Sequence, residues 1–240
     1  VAVLVACIAV VLLNIYAIVL VRLRSAVYGV PLYRPMLLNI GLSFVPVLVS
    51  LVAVAGLLGL PALLSLTALR PRAAAVAVWV YVVVGAIVWV LLFPNSIYLI
   101  TELNFSHRRD GDPVPLWYDI VQTLTLTLSG IANAVLSLAV VQTAFLVLVE
   151  PNAIGAVPAS SWALAAVIIV LGAVGVYLGR YLRFNSWDVR HPVSLLRKLR
   201  AHLRQRGKAL EAGGFVLTHA VLIALIYVPT YLLGFGALAA

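Results

Sequence analysis

"WALAAVIIVLGAVGVYLGRYLRFNSWD", Trp162 to Asp188, decides the fold. From Trp162 to Gly179 no residue is charged; Arg180, Arg183 and Asp188 then follow in quick succession. A bilayer core of ~30 Å is crossed by ~20 apolar residues in an α-helix. Backbone in lipid must satisfy its polar groups internally, which helices and closed barrels alone achieve. An apolar run without alternation selects the helix. The stretch is therefore a membrane span that ends in a polar cluster.

The rest of the chain agrees. Of its 240 residues 65% are hydrophobic and 10% charged, with a mean hydropathy of +1.17. Soluble domains carry about 25% charged residues, so water is the wrong solvent. Six runs are long enough to span: about 1–21, 36–58 (extending toward 66), 73–93, 116–149, 162–181 and 215–236. Pro94 stops the third run, and the fourth is long enough to tilt or project. The expected fold is all-α: a single polytopic domain of six transmembrane helices. A short interfacial helix over about 96–105 follows the third span, and a basic amphipathic surface helix over about 193–211 precedes the sixth. The apolar run already begins at Val1 with no basic segment ahead of it, so the start reads as trimmed; a cleaved signal peptide is the weaker reading, since an Ala-x-Ala-like site and a soluble mature domain are both missing.

Charge orients these spans. Arg22, Arg24 and Arg34 lie in the first connector, Arg108 and Arg109 in the third, and nine Lys or Arg from Arg180 to Lys208 around the fifth; the opposite side has Arg70 and Arg72. Lys- and Arg-rich loops stay in the cytoplasm. Both termini are thus expected on the extracytoplasmic side of the membrane. In "PVSLLRKLRAHLRQRGKALEAGG", Leu195, Leu196, Leu199, Leu203 and Leu210 recur at helical spacing among basic residues. Such a helix lies on a leaflet, and Arg197, Lys198, Arg200 and Arg204 would meet anionic inner-leaflet headgroups. With spans on both sides, lipid and not nucleic acid is the expected partner. Cys7 stands alone, so no intramolecular disulfide forms. None of the four histidines has a partner at i+3 or i+4, so the helical zinc pair of metalloproteases is missing. No metal and no cofactor is expected, and oligomeric state is not readable.

Topology then gathers the polar residues on one face. Span three ends in "LFPNSIYLITELNF", where Asn95 reads as a cap and Tyr98, Thr101, Glu102 and Phe105 share one side of the following helix. Span four opens with "VPLWYD", bringing Trp117, Tyr118 and Asp119; span five closes with Arg180, Arg183, Asn185, Trp187 and Asp188. Asn39 begins span two nearby, and His219 lies near the start of span six. Gly172, Gly175 and Gly179 form a smooth stripe of the sort that lets membrane helices approach closely. Arg183 continues that stripe and should turn inward, where a charge needs a partner. The expected arrangement is an ion network of Arg180 and Arg183 against Glu102, Asp119 and Asp188. Along span four, Asp119, Gln122 or Thr123, Ser129 or Gly130, Asn133 and Ser137 make a polar stripe, suited to a transport path or to helix contacts.

Plainer roles exist for most of these residues. Arg180 can snorkel to headgroups, Trp117, Tyr118 and Trp187 can form an aromatic belt, and Thr123, Thr125 and Thr127 can bond back to carbonyls one turn earlier. His219 reads best as a satisfied bundle histidine. Asp119 and Glu102 fit the plain view least, since carboxylates help neither orientation nor packing.

"LFPNSIYLITEL", "VPLWYD" with a following Ser-Gly, "GRYLRFNSWD", and "LLNIGLSFVPVLVSL" with Asn39 and Pro46 resemble a bacterial integral membrane family, domain of unknown function family 1361. The resemblance runs from about Asn39 to Tyr231 and implies a small polytopic membrane protein without an assigned activity or known catalytic residues. Two motifs depart from the family pattern. Ser96 and Ile97 stand ahead of Tyr98, with Glu102 where aspartate is common, and Phe184 replaces a tryptophan. Charge and aromaticity are kept.

Three functions compete. The first is a cytoplasmic-face pocket for an anionic lipid headgroup or small anion, built from Arg183, Arg180, Asn185, Asp188, Trp187, Asn95, Tyr98, Trp117 and Tyr118. The second is a membrane-embedded enzyme on a lipid-linked substrate, with Asp119 or Glu102 as base or metal-binding carboxylate; it lacks a nucleophile–base pair or phosphate loop. The third is a small proton-coupled transporter using Asp119, without the inverted repeat or paired broken helices such proteins show.

Overall fold

The computed structural model describes residues 2–67, 70–102, 111, 113–151, 157–182 and 192–239. Among them the chain is helical throughout: α1 Ala2–Tyr28, α2 Arg34–Ser65, α3 Pro71–Leu92, α4 Pro94–Tyr98 running into a 3-10 turn Leu99–Glu102, α5 Leu116–Val149, α6 Ala159–Tyr181, α7 Pro192–Leu203 and α8 Lys208–Ala239. Six helices are long and apolar enough to cross a membrane. The protein is a polytopic helical membrane protein.

Several spans outrun their apolar stretches. α1 continues past Val21 to Tyr28 and α8 starts at Lys208, seven residues before Phe215. Arginine and lysine stems can extend a helix beyond the hydrocarbon while their heads reach water, so hydropathy alone cuts both helices short at this end. α5 keeps its full 34 residues, about 51 Å at 1.5 Å per residue, and must tilt or project. The basic helix is shorter than its leucine spacing suggests. It ends at Leu203, because the turn at 204–207 includes Gly207 at φ +81°, and Leu210 belongs to α8.

The centre of the bundle is the break after α3. Pro94 occupies the first turn of α4, where its missing N–H costs nothing, and Phe93 is the N-cap. Asn95 therefore sits inside the helix and caps nothing, a correction to the sequence reading. α4 is packed between α2, α5 and α6, with Ser96 and Ile97 fully buried. Glycines make that possible. A Cβ at Gly172 would fall 2.6 Å from Ile97 Cδ1 and 2.8 Å from Phe93 Cε1, and one at Gly175 would strike the Pro94 ring. From the other side, a Cβ at Gly130 of α5 would lie 2.6 Å from the Ser96 carbonyl oxygen. The Gly172–Gly175 part of the stripe thus receives α4; Gly179 makes only an ordinary contact with Tyr98, at 3.9 Å.

Trp89, Phe93, Ile97, Ala173, Val176 and Tyr227 form the main core cluster. A second cluster joins Ala17, Val21, Met36, Ile40 and Leu126 where α1, α2 and α5 meet.

Candidate functional site

The arginine-rich end of the bundle collects the ends of α1, α6 and the 3-10 turn and the starts of α2, α5 and α8. Its best-formed element is an ion pair. Arg24 Nε donates to Asp119 Oδ1 at 3.0 Å, with the two side chains 26% and 13% exposed. One turn of α1 away, the Tyr118 hydroxyl donates to the Leu20 carbonyl at 2.7 Å, and the Tyr118 and Tyr28 rings meet edge to face. The first turn of α5 is thus fastened to α1 twice.

Arg24 is the residue that sequence reasoning missed. Its sequence context suggests a connector, whereas α1 carries it on a helix that packs against α5. Among the described residues Asp119 pairs with Arg24, a partner the expected network does not include. The signal available in advance was spacing: Arg24 lies seven residues after Ala17, so a continuing helix keeps both on the face toward α5. Asp119→Asn should therefore destabilise the bundle by roughly 1–2 kcal/mol, between the values for exposed and buried pairs. The exchanged pair Arg24→Asp with Asp119→Arg should recover part of that loss, as read by thermal unfolding in detergent.

Glu102 and Arg180 are held more loosely. Asn39 Nδ2 donates to Glu102 Oε1 at 3.4 Å, a long bond for a carboxylate acceptor. Thr101 Oγ1 donates to the Tyr98 carbonyl and accepts from Arg180 Nη1 at 3.5 Å. Among the described residues, no carboxylate lies within ion-pair distance of Arg180. A guanidinium has five donors, and among the described residues Thr101 takes one of them. Tyr98 is half-buried beside Gly179, while Trp117 is 61% exposed, as in an aromatic belt. Arg183, Asn185, Trp187 and Asp188 lie outside the described residues.

The Asn133 part of the α5 polar stripe turns inward and is closed. Asn14 Nδ2 donates to Asn133 Oδ1 at 2.8 Å and to the Val10 carbonyl at 2.8 Å; Asn133 Nδ2 returns a bond to Asn14 Oδ1 at 3.0 Å and gives another to Ser43 Oγ at 3.0 Å. Ser43 in turn donates to the Ile40 carbonyl, and Ser96 Oγ donates to the Ser43 carbonyl at 2.6 Å. Both amide groups of the asparagines are used up. Four elements, α1, α2, α4 and α5, are joined by this network, and its members are almost wholly buried. Nearer the other end, Gln142 Nε2 donates to Ser161 Oγ and the Tyr227 hydroxyl donates to Gln142 Oε1, joining α5, α6 and α8. Asn14, Gln142 and Tyr227 stand in no motif that marks them in the sequence. A lone amide in an apolar span was the available sign, since it must find a partner.

The plainer roles hold for several residues. Thr123 and Thr127 bond to the carbonyls of Asp119 and Thr123, one turn earlier, and His219 Nδ1 lies 2.9 Å from the Phe215 carbonyl oxygen. Among the described residues no group of three or more His, Cys, Asp or Glu side chains is brought together.

These features define a helical, multi-pass membrane protein with a polar end and an internally bonded core. The chain belongs to the family described as "Protein of unknown function (DUF1361)", whose profile matches residues 38–228. Curated proteins and solved structures gave no match.

Proposed function

We propose that the arginine-rich end faces the bacterial cytoplasm and binds an anionic phospholipid headgroup at Arg180, with Thr101 and Tyr98 beside it. One observation carries the reading. Arg180 stands at the end of a membrane span, contacts a hydroxyl, and has no carboxylate partner among the described residues, while Asp119 is already neutralised by Arg24. Cations there are drawn to the anionic inner leaflet by about 1 kcal/mol each. Arg183, Asn185, Trp187 and Asp188 follow Arg180 directly and belong to the same proposed pocket.

The basic helix α7 supports this orientation. Arg197, Lys198, Arg200 and Arg204 are exposed, and so are Val193 and Leu196, a mixture that suits a leaflet surface. His202 faces the protein, its Nε2 2.8 Å from the Tyr177 hydroxyl.

Native mass spectrometry of protein extracted from phosphatidylglycerol-containing membranes tests the site. Arg180→Gln should lower phosphatidylglycerol retention about fivefold, the equivalent of one such charge. Arg22→Gln, an exposed arginine on α1, should leave it unchanged. Equal retention in wild type and Arg180→Gln would refute the headgroup role.

A further inference from the structure

α3 leans on α2 and, among the described residues, makes no backbone contact with α5. Its seam with α2 is tight. The Tyr81 hydroxyl fills the notch over Gly56 and donates to the Val52 carbonyl at 2.8 Å, and Gly85 lies against Ala53. On the far side of that seam a cleft of about 250 Å³ separates α3 from α5 and α6. Trp79, Trp89, Ala53, Ala144, Phe145 and Leu164 are among its walls.

Its chemistry is apolar. The wall hydroxyls are already committed: Ser50 donates to the Val47 carbonyl and Tyr81 to Val52. Trp89 is 1% exposed, so its unpaired indole N–H is covered and presents no surface to a ligand. Water therefore gains nothing there, and apolar cavities stay dry. An empty cleft would leave its walls without contacts on one side.

Size selects the occupant. From Trp79 to Trp89 the cleft follows ten residues of helix, about 15 Å. A helix of that length and ~10 Å width would need roughly 1,200 Å³, more than the about 880 Å³ of open space between these walls, so a helix from a second copy does not fit within them. A dry cavity of about 150 Å³ accepts benzene, and this one has room for a longer, thin hydrocarbon. Charge sets the direction of entry. Arg70 and Arg72 are exposed at the start of α3, on the Trp79 side, where a phosphate at the membrane surface would meet them.

We propose that this cleft holds one acyl chain of a phospholipid from the leaflet opposite the arginine-rich end, with its phosphate near Arg70 and Arg72 and its chain running toward Trp89. The site is separate from the one at Arg180.

The test uses the full chain in vesicles of phosphatidylglycerol bearing a diazirine midway along one acyl chain. After irradiation, adducts should concentrate on peptides covering 79–89 and 141–149. Ala144→Phe fills the cleft from α5 and Ala86→Leu from α3; each should cut those adducts about tenfold, a difference of about 1.4 kcal/mol. Leu171→Phe, on an exposed face of α6, should not. Circular dichroism and gel filtration verify folding, and if one filling variant fails to fold the other, from the opposite wall, decides. Unchanged adducts in a folded filling variant, adducts spread evenly over all exposed helices, a cross-link to a second copy, or an isoprenoid lipid recovered in the cleft would each overturn the proposal.

Discussion

Asn133→Leu should lower the stability of the folded bundle by about 3 kcal/mol. Interhelical hydrogen bonds in membranes are worth about 0.6 kcal/mol on average and up to about 1.7, and Asn133 takes part in three of them, to Asn14 twice and to Ser43. Removal also strands the Asn14 amide, and a buried unsatisfied group costs roughly 1–3 kcal/mol. The pair should be strongly coupled. Asn14→Leu with Asn133→Leu removes both partners and strands neither, so the double variant should cost clearly less than the two single losses added together. Unfolding in mixed micelles of increasing denaturing detergent, followed by circular dichroism, measures this. Additive losses would show that the two amides do not act as one unit.

Gly130→Ala has a comparable expected effect from a different cause. The new methyl group would meet the backbone oxygen of Ser96 at 2.6 Å and Leu99 Cβ at 2.8 Å. Neither is the end of a flexible chain, so α4 and α5 must separate. Overpacking of this kind costs about 1–3 kcal/mol, and the upper part of that range is expected because backbone must move. Gly41→Ala and Gly213→Ala are the controls: nothing lies within 4 Å of the added atom at either position. Inside a helix that change should stabilise by up to about 1 kcal/mol. Thermal unfolding of the three variants should therefore differ in sign, and a Gly130→Ala protein as stable as wild type would mean that α4 is not gripped by α5.

The spans were legible because lipid constrains a chain more simply than water does: the 116–149 run is α5 to the residue. Ends marked by arginine were less legible. Arg22 and Arg24 look like a connector in the sequence, yet they ride on the last turns of α1, since a long cationic stem can continue a helix out of the apolar layer. This continuation of α1 is what brings Arg24 to Asp119. Topology brings several arginines to one end and offers no way to choose between them; the contact of α1 with α5 makes the choice. The glycines of α6 were readable as a packing face, but their partner was not, because nothing in the spacing says that the Pro94 break folds back into the bundle. The α5 stripe was visible as polar and small. Its role needed Asn14 and Ser43, residues 119 and 90 positions away from Asn133.

The account depends on Arg180 being presented to anionic headgroups at the arginine-rich end of the bundle. Photocrosslinking from p-benzoylphenylalanine at position 98, beside Gly179 and Arg180, tests this directly in membranes of mixed phosphatidylglycerol and phosphatidylethanolamine. An adduct enriched in phosphatidylglycerol, and lost in Arg180→Gln, is the predicted result. Adducts that follow the bulk lipid ratio, with or without Arg180, would contradict it.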